Sequence, residues 1–375
     1  MLRNFLLFLL AISLTVAIAV WLRFGGGERH RDLTTSPLIG GAVLEQVLQY
    51  PEPIGNVAVS EDGRIFFTIH PESRPQGNKL LEWVADAAVP YPNGTVQPHI
   101  FDSVLGLTID HQQRLWTIDH GRQGFADARI LAFDLSSGTL VHDHTFTDKV
   151  APSGSFLQDL VISRDGTTVV ISDGSIISKN PALVVYDIET RTARRLLQDH
   201  VSVSAENYLI SHPIGDLSYF GGLFTLKCGV SGLTFDNNEE WLYYAATNQD
   251  GLFRIRTEHL FDPLLTDSDL AARVERFSDK PLSDGLLVGP SGRIFVTDIE
   301  HNAVSVIGSE RVPLTVIRDP RIRWAAALSF GPDEYMYIAD SALPELILQT
   351  RNHIRSKGPY SVYRFAMVPL EVSAP

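Results

Sequence analysis

The chain has 375 residues, 44 of them acidic and 31 basic, for a formal net charge of −13 and a pI near 5.3. That balance excludes a nucleic-acid partner, because phosphate binding needs a basic surface. The single cysteine, Cys228, excludes an intrachain disulfide, and with no activating group beside it in the sequence it reads as a buried structural thiol.

At the N-terminus, residues 5–22 are uncharged and bounded by Arg3 and Arg23. That length is near the lower limit of a membrane span. Ala17-Ile18-Ala19 offers a signal-peptide cleavage site, whereas Trp21 and Arg23 suit an interfacial anchor. The sequence therefore predicts a signal anchor or signal peptide over 1–23, the anchor being preferred. The rest of the chain is expected on the exported side, periplasmic or extracellular, meeting the membrane only through this segment. Residues 24–40, with Gly25–Gly27, read as a flexible tether.

The next stretch sets the pattern for the whole chain. Val57–Pro71 joins two short apolar runs through Asp62-Gly63, a hairpin signature in which Gly supplies the positive φ of the turn. The phrase returns at Leu107–Asp119, Leu160–Asp173, Leu233–Thr247, Leu286–Asp298 and Leu328–Asp340, at a spacing of roughly 40 to 70 residues. Six such hairpins predict an all-β fold, a six-bladed β-propeller forming a single domain over 41–375, preceded by one hydrophobic helix.

Gly41–Tyr50 is expected to be the outer strand of the last blade, closing the ring. Blade one includes Leu80–Val84. Blade two adds Arg129–Leu135 and Thr139–Phe146, and blade three adds Ala182–Ile188 and Thr192–Leu197. Residues 198–229 exceed a blade connection and are expected to lie over one face or plug the channel. Blade four is expected to end at Asp250–Thr257, with an insert at Glu258–Ala272. Blade five ends at Ala303–Ile307, and blade six at Tyr360–Phe365 after an insert at 342–358.

In such a blade the start of the first strand and the end of the second share one face. The starts carry Asn56, Gln158, Asp159, Ser231, Ser283 and Asp284. The ends carry His70, Asp119, His120, Asp173, Asn248, Asp298 and Asp340. End residues have a local explanation, since Asp and Asn side chains close turns. Start residues point into the channel, where polarity is costly unless used or paired. The expected ligand-binding set is Asn56, Asp119, Asp159, Ser231, Asn248, Asp284, Asp298 and Asp340. Asp159 and His120 would move protons if the protein is an enzyme. His142-Asp143-His144 places two imidazoles on one strand face, a metal-compatible spacing, but its outer strand favours a solvated edge. The chain has no G-x-S-x-G, H-E-x-x-H, phosphate-cradling glycine loop or C-x-x-C pair.

In order and wording these segments resemble the yellow / major royal jelly protein family. The matching phrases are P-E-P-I-G-N-V-A-V-S-E-D-G-R-I-F-F-T from Pro51, L-G-L-T-I-D-H-Q-Q-R-L-W-T-I-D-H-G from Leu105, and L-Q-D-L-V-I-S from Leu157. They continue with A-L-V-V-Y-D-I from Ala182, S-G-L-T-F-D-N-N-E-E-W-L-Y-Y from Ser231, N-Q-D-G-L-F-R-I-R-T from Asn248 and I-F-V-T-D-I-E-H-N-A-V from Ile294. The resemblance spans roughly residues 45–367. It implies a six-bladed propeller and secretion, with small aromatic amines held in the channel of some members and dopachrome conversion linked to others. One cysteine, against the paired cysteines of insect members, suggests a bacterial-type relative.

A more distant resemblance is to calcium-dependent gluconolactonases of the senescence marker protein type. It rests on Ser283-Asp284-Gly285, Gln158-Asp159-Leu160 and Val230-Ser231-Gly232-Leu233. It implies Ca²⁺ at Asp284 and Asp159, polarising a lactone carbonyl. The combined expectation is an exported, monomeric propeller binding a small organic ligand, an aromatic amine or catechol, at the channel mouth. A calcium-dependent lactonase or a dopachrome-type tautomerase using the same channel mouth is the alternative. The sequence by itself names no cofactor, and calcium enters only through the gluconolactonase resemblance.

Overall fold

Each repeat folds as the alternation of apolar and polar positions dictates. The two apolar runs pair antiparallel across their turn, a third and fourth strand add in chain order in all blades but the last, and the sheet is four strands wide. The computed structural model describes residues 2–367, so residues 368–375 of the expected 41–375 domain lie outside the described residues. Six such sheets form a six-bladed propeller. Their inner strands are Ile54–Val59, Val104–Ile109, Leu157–Ile162, Val230–Phe235, Leu286–Val288 and Ala325–Phe330. Ring closure is carried by Glu45–Tyr50, which pairs antiparallel with Tyr360–Ala366 as the outer strand of blade six.

Between neighbouring blades sits an apolar cluster. Trp116, Ile118, Leu160 and Ile171 fill the seam between blades two and three, and Val170, Leu233, Leu242 and Ile255 that between three and four. Burial of this kind contributes about 25 cal/mol per Å² of apolar surface. No blade can achieve it alone, and closure into one ring follows from that need.

Two blades differ from the sequence expectation at their outer edge. Blade four does not end with the expected Asp250–Thr257 segment, whose strand is Gly251–Arg256. Two short helices, Thr257–Phe261 and Asp267–Ala271, lead to a fourth strand at Glu275–Asp279. Blade five likewise gains Pro313–Arg318. The first was hidden behind its helical insert. The second follows a short turn in which Arg311 N donates to Gly308 O at 3.0 Å, and its opening proline concealed it.

Residues 198–229 cross the face where inner strands begin. They form two small hairpins, Ser211–His212 with Gly215–Asp216 and Ser218–Tyr219 with Phe224–Thr225. Ile210, Leu217 and Leu226 are buried against Leu343 and Leu346, so the segment roofs the channel. The N-terminal helix, Leu2–Phe24, has no buried residue and is long and apolar enough to cross a membrane. Residues 24–40, expected as a flexible tether, are laid along the propeller. Glu28–Arg29 pairs in parallel with Tyr208–Leu209, and the backbone N–H groups of Leu38 and Ile39 donate to Thr315 and Val316.

Candidate functional site

The inner strands carry a device the local pattern conceals. Pairing with the second strand slips by one residue between Ile54 and Asn56, Leu157 and Asp159, Val230 and Gly232, and Ala325 and Ala327. In blade two the slip falls between Val104 and Leu107. A bulge re-aims the side chains beside it, and here it turns Asn56, Gln158 and Asp159 towards the channel axis. Glycine permits the crowding that results. A side chain at Gly106 would run into the carbonyl of Gln158.

These residues border a cavity of about 260 Å³. Its floor is Asn56, Gln158, Asp159, Asp284 and Trp324, and its walls include Leu105, Phe156 and Cys228. Phe224 and Leu226 of the roofing segment, with Ile176, Ile177, Leu343, Ile347 and Leu348, complete an apolar upper part. Glu72 and Gln123 stand at the rim, where Gln123 Nε2 donates to Glu72 Oε1 at 2.8 Å.

Asp284 is held from three sides. Gln158 Nε2 donates to its Oδ1 at 2.7 Å, Ser231 Oγ to the same oxygen at 2.7 Å, and Trp324 Nε1 to its Oδ2 at 2.8 Å. Gln158 also donates to Ser231 Oγ at 2.8 Å, while its Oε1 accepts from the Cys228 thiol at 3.6 Å. Burial raises the Asp284 carboxyl above the usual carboxylate range, and these three donors pull it back only in part. Asp159 has less support. Its Oδ1 accepts from Leu160 N at 3.0 Å, and Asn56 offers a further side-chain hydrogen bond. Burial, aided by the neighbouring Asp284 charge, pushes Asp159 up to about 7. Cys228 is likewise pushed up to about 12 by burial, so its thiol is inert at neutral pH.

The remaining candidates from the sequence lie elsewhere. Asp119 accepts from the backbone N–H groups of Asp102, Ser103 and Gly121. Asn248 accepts from Cys228 N and donates to the Tyr208 and Leu226 carbonyls, pinning the roof. Asp298 accepts from Glu300 N and from His301 Nδ1. Asp340 accepts from Trp324 N and pairs with Arg323 at 2.8 Å. Ser231 does not line the cavity and touches it through Gln158 and Asp284. His120 is buried behind Phe156, its ring centroid 4.8 Å away, with Nδ1 accepting from Gln123 N and Nε2 without a partner. Burial lowers its pKa to about 3, so it stays neutral.

His142 and His144 are not at a solvated edge. His142 Nε2 lies 2.8 Å from Tyr186 Oη, and His144 packs on the same ring with centroids 4.8 Å apart. Among the described residues no group of three or more His, Cys, Asp or Glu is placed to hold a metal. Calcium also fits the floor poorly. It takes six to eight oxygen ligands, whereas both oxygens of Asp284 already receive N–H or O–H donors.

Gln158 and Trp324 complete the floor, and Cys228 stands in the wall beside them. Gln158 was visible in the sequence as a strand start. Trp324 and Cys228 join it only through contacts spanning many residues.

A roofed six-bladed propeller whose channel ends in two carboxylates, Asp284 buried and Asp159 half-buried, defines the class. The family model for major royal jelly proteins matches residues 102–356, more than half the chain, and the chain belongs to that family. It is 22% identical over 221 residues to major royal jelly protein 3 of Apis mellifera, covering 56% of this chain and 39% of that protein. It is 24% identical over 182 residues to the yellow-related salivary protein M10 of Phlebotomus duboscqi, covering 43% and 44%. The matches thus span less than half the length of either relative. Among solved structures, a luciferin-regenerating enzyme superposes with TM-score 0.57 at 13% identity, covering 87% of this chain and 96% of that one. A gluconolactonase of Xanthomonas campestris gives 0.54 at 16%, covering 86% and 89%. At such identities the likeness is one of fold.

Proposed function

We propose that this protein binds a small organic cation, an aromatic or otherwise apolar amine, in the channel cavity. The observation carrying this reading is the pairing of apolar walls with two carboxylates, the buried Asp284 and the half-buried Asp159, that no cation on the floor neutralises among the described residues. An ammonium group there would relieve both the desolvation of Asp159 and its repulsion from Asp284, while a ring would fill the space under Phe224 and Leu226. The apolar N-terminal helix supports an anchored, exported protein. The test is calorimetry with phenethylamine against its uncharged analogue 2-phenylethanol. Selective binding of the amine, lost in Asp284→Ala, is expected. Equal binding of the two would refute a charge-based site.

The position of Asp159 also favours a second reading. A carboxyl that titrates near 7 at a cavity floor suits proton transfer. As a tautomerase, Asp159 would take a proton from a carbon of the bound substrate and return one to a different atom of the same molecule. The visible absorbance of dopachrome would then decay faster with the protein than with Asp159→Asn.

A further inference from the structure

Six exposed apolar side chains stand on the roofed face. Phe125, Ile177 and Leu348 follow the second strands of blades two, three and six, while Val201, Ile214 and Phe220 belong to the roofing segment. Their exposure runs from 39% for Ile177 to 71% for Phe220. Ile177 and Leu348 also line the cavity, so the patch is continuous with its apolar walls. Patches of that kind mark interaction surfaces, whereas singly scattered ones are ordinary. Leu264 and Val312, near the opposite face, are of the ordinary kind.

What covers the patch is indicated by the helix. Phe24, its last residue, packs on Phe224 with ring centroids 6.0 Å apart. Arg23 Nη2 donates to Ser178 O at 2.7 Å, in the same loop as Ile177. Only Gly25, Gly26 and Gly27 separate the helix from Glu28–Arg29, which is already paired to the roof. Three residues span at most about 10 Å, so a membrane crossed by this helix would lie close against the roofed face. At the helix foot, Arg23, Lys179 and Lys227 border one depression. Each donates to a neutral oxygen: Ser178 O, Lys227 O, and Gly25 O with Asn207 Oδ1. Arg23 is exposed and Lys227 half-buried, so both can meet lipid phosphates, which attract basic residues next to a span. Lys179, its pKa lowered to about 8 by burial, contributes less, and Glu206 lines the same depression.

We propose that the roofed face docks on an anionic phospholipid bilayer, with Phe220, Ile177 and Leu348 dipping into the interface around the cavity mouth. The surface thereby gains a second membrane contact beyond the N-terminal segment. The ligand, on the reading of the cavity given above, is then a lipid-soluble amphiphile that reaches Asp159 and Asp284 from the membrane side. Amphipathic surfaces bind bilayers through just this combination of buried apolar area and basic charge.

The test uses the full chain in vesicles of phosphatidylcholine and phosphatidylglycerol. Environment-sensitive maleimide dyes are placed by Phe220→Cys, Leu348→Cys and, as a control, Leu264→Cys. Cys228 is buried, and labelling of the unaltered protein sets the background. Spin-labelled lipid should quench the dyes at 220 and 348 severalfold more than the dye at 264. Absent quenching at 220 and 348, or equal quenching at all three, would overturn the docking. Quenching at 220 alone would overturn it as well, since the mouth would then stand clear. The readout needs no ligand, so it fails or succeeds independently of the amine reading.

Discussion

Two sets of polar residues sit at the same end of the blades, and they have opposite fates. Asp119, Asp173, Asn248, Asp298 and Asp340 end second strands, and their side chains are consumed by backbone N–H groups, carbonyls or a cation. Asn56, Asp159 and Asp284 begin inner strands or precede them, and they face a cavity. Residue type does not separate the sets, since both are rich in aspartate. The backbone does. A strand end flows into a turn whose backbone N–H groups serve it, whereas a strand start, bulged in blades one and three, faces the axis. There Asp284 is met by side chains of other blades and Asp159 by little beyond Leu160 N and Asn56.

The comparison is broken most forcefully at Asp173. It accepts from Phe156 N at 2.7 Å and pairs with Arg195 at 2.6 Å, the two side chains being 0% and 7% exposed. Asp173→Ala leaves that guanidinium buried and unpaired and should cost about 3 to 5 kcal/mol, as read by urea denaturation. A loss below 1 kcal/mol would remove it from the structural set.

Asp159 should behave in the reverse sense. Its folded pKa, about 7, exceeds the ordinary carboxylate value. Between pH 4 and 7 the folded protein keeps a proton that the unfolded chain has released. Stability contributed by this group is therefore full at low pH and falls as pH rises towards 7. Asp159→Asn should abolish that slope and stabilise the protein at pH 8 by about 2 to 4 kcal/mol. Denaturation curves at pH 5 and 8 would show it.

For amine binding, loss of either floor carboxylate should weaken affinity roughly 100-fold, about 2.7 kcal/mol. The smallest effect belongs to Asp298. Hydrogen bonding to Asp298 raises the His301 pKa, so Asp298→Asn should move its imidazole titration downward by NMR while the turn survives. The stability linked to that pair is present at acid pH and is lost as pH rises through the elevated His301 value.

Much of the fold was legible because a propeller repeats a local signal. Asp62-Gly63 and its counterparts announce hairpins, and six of them fix the blade number. The outer strand Glu275–Asp279 escaped because a helical insert precedes it, and Pro313–Arg318 because it opens on a proline, which reads as a breaker. The site was legible only halfway. Asn56, Asp159 and Asp284 could be named from strand starts, yet Trp324 and Gln158 reach Asp284 across 40 and 126 positions. No periodicity encodes such contacts. A usable signal did exist: Gly55, Gly106, Gly232 and Gly285 recur at the inner-strand starts, and glycine there marks a bulge or close backbone approach. The sequence separated strand ends from strand starts in principle, but it could not show that the turns satisfy Asp119, Asn248, Asp298 and Asp340 in full, so these stayed in the expected ligand-binding set.

The central claim is that Asp159 and Asp284 form the charged floor of a binding cavity. Its most direct test is calorimetric titration of phenethylamine from pH 5 to 8 on the unaltered protein and on Asp159→Asn. The account predicts affinity that falls up to tenfold per unit as pH drops below about 7, and a weak, flat profile for the variant. Binding by Asp159→Asn as tight as by the unaltered protein, with the same pH dependence, would contradict it.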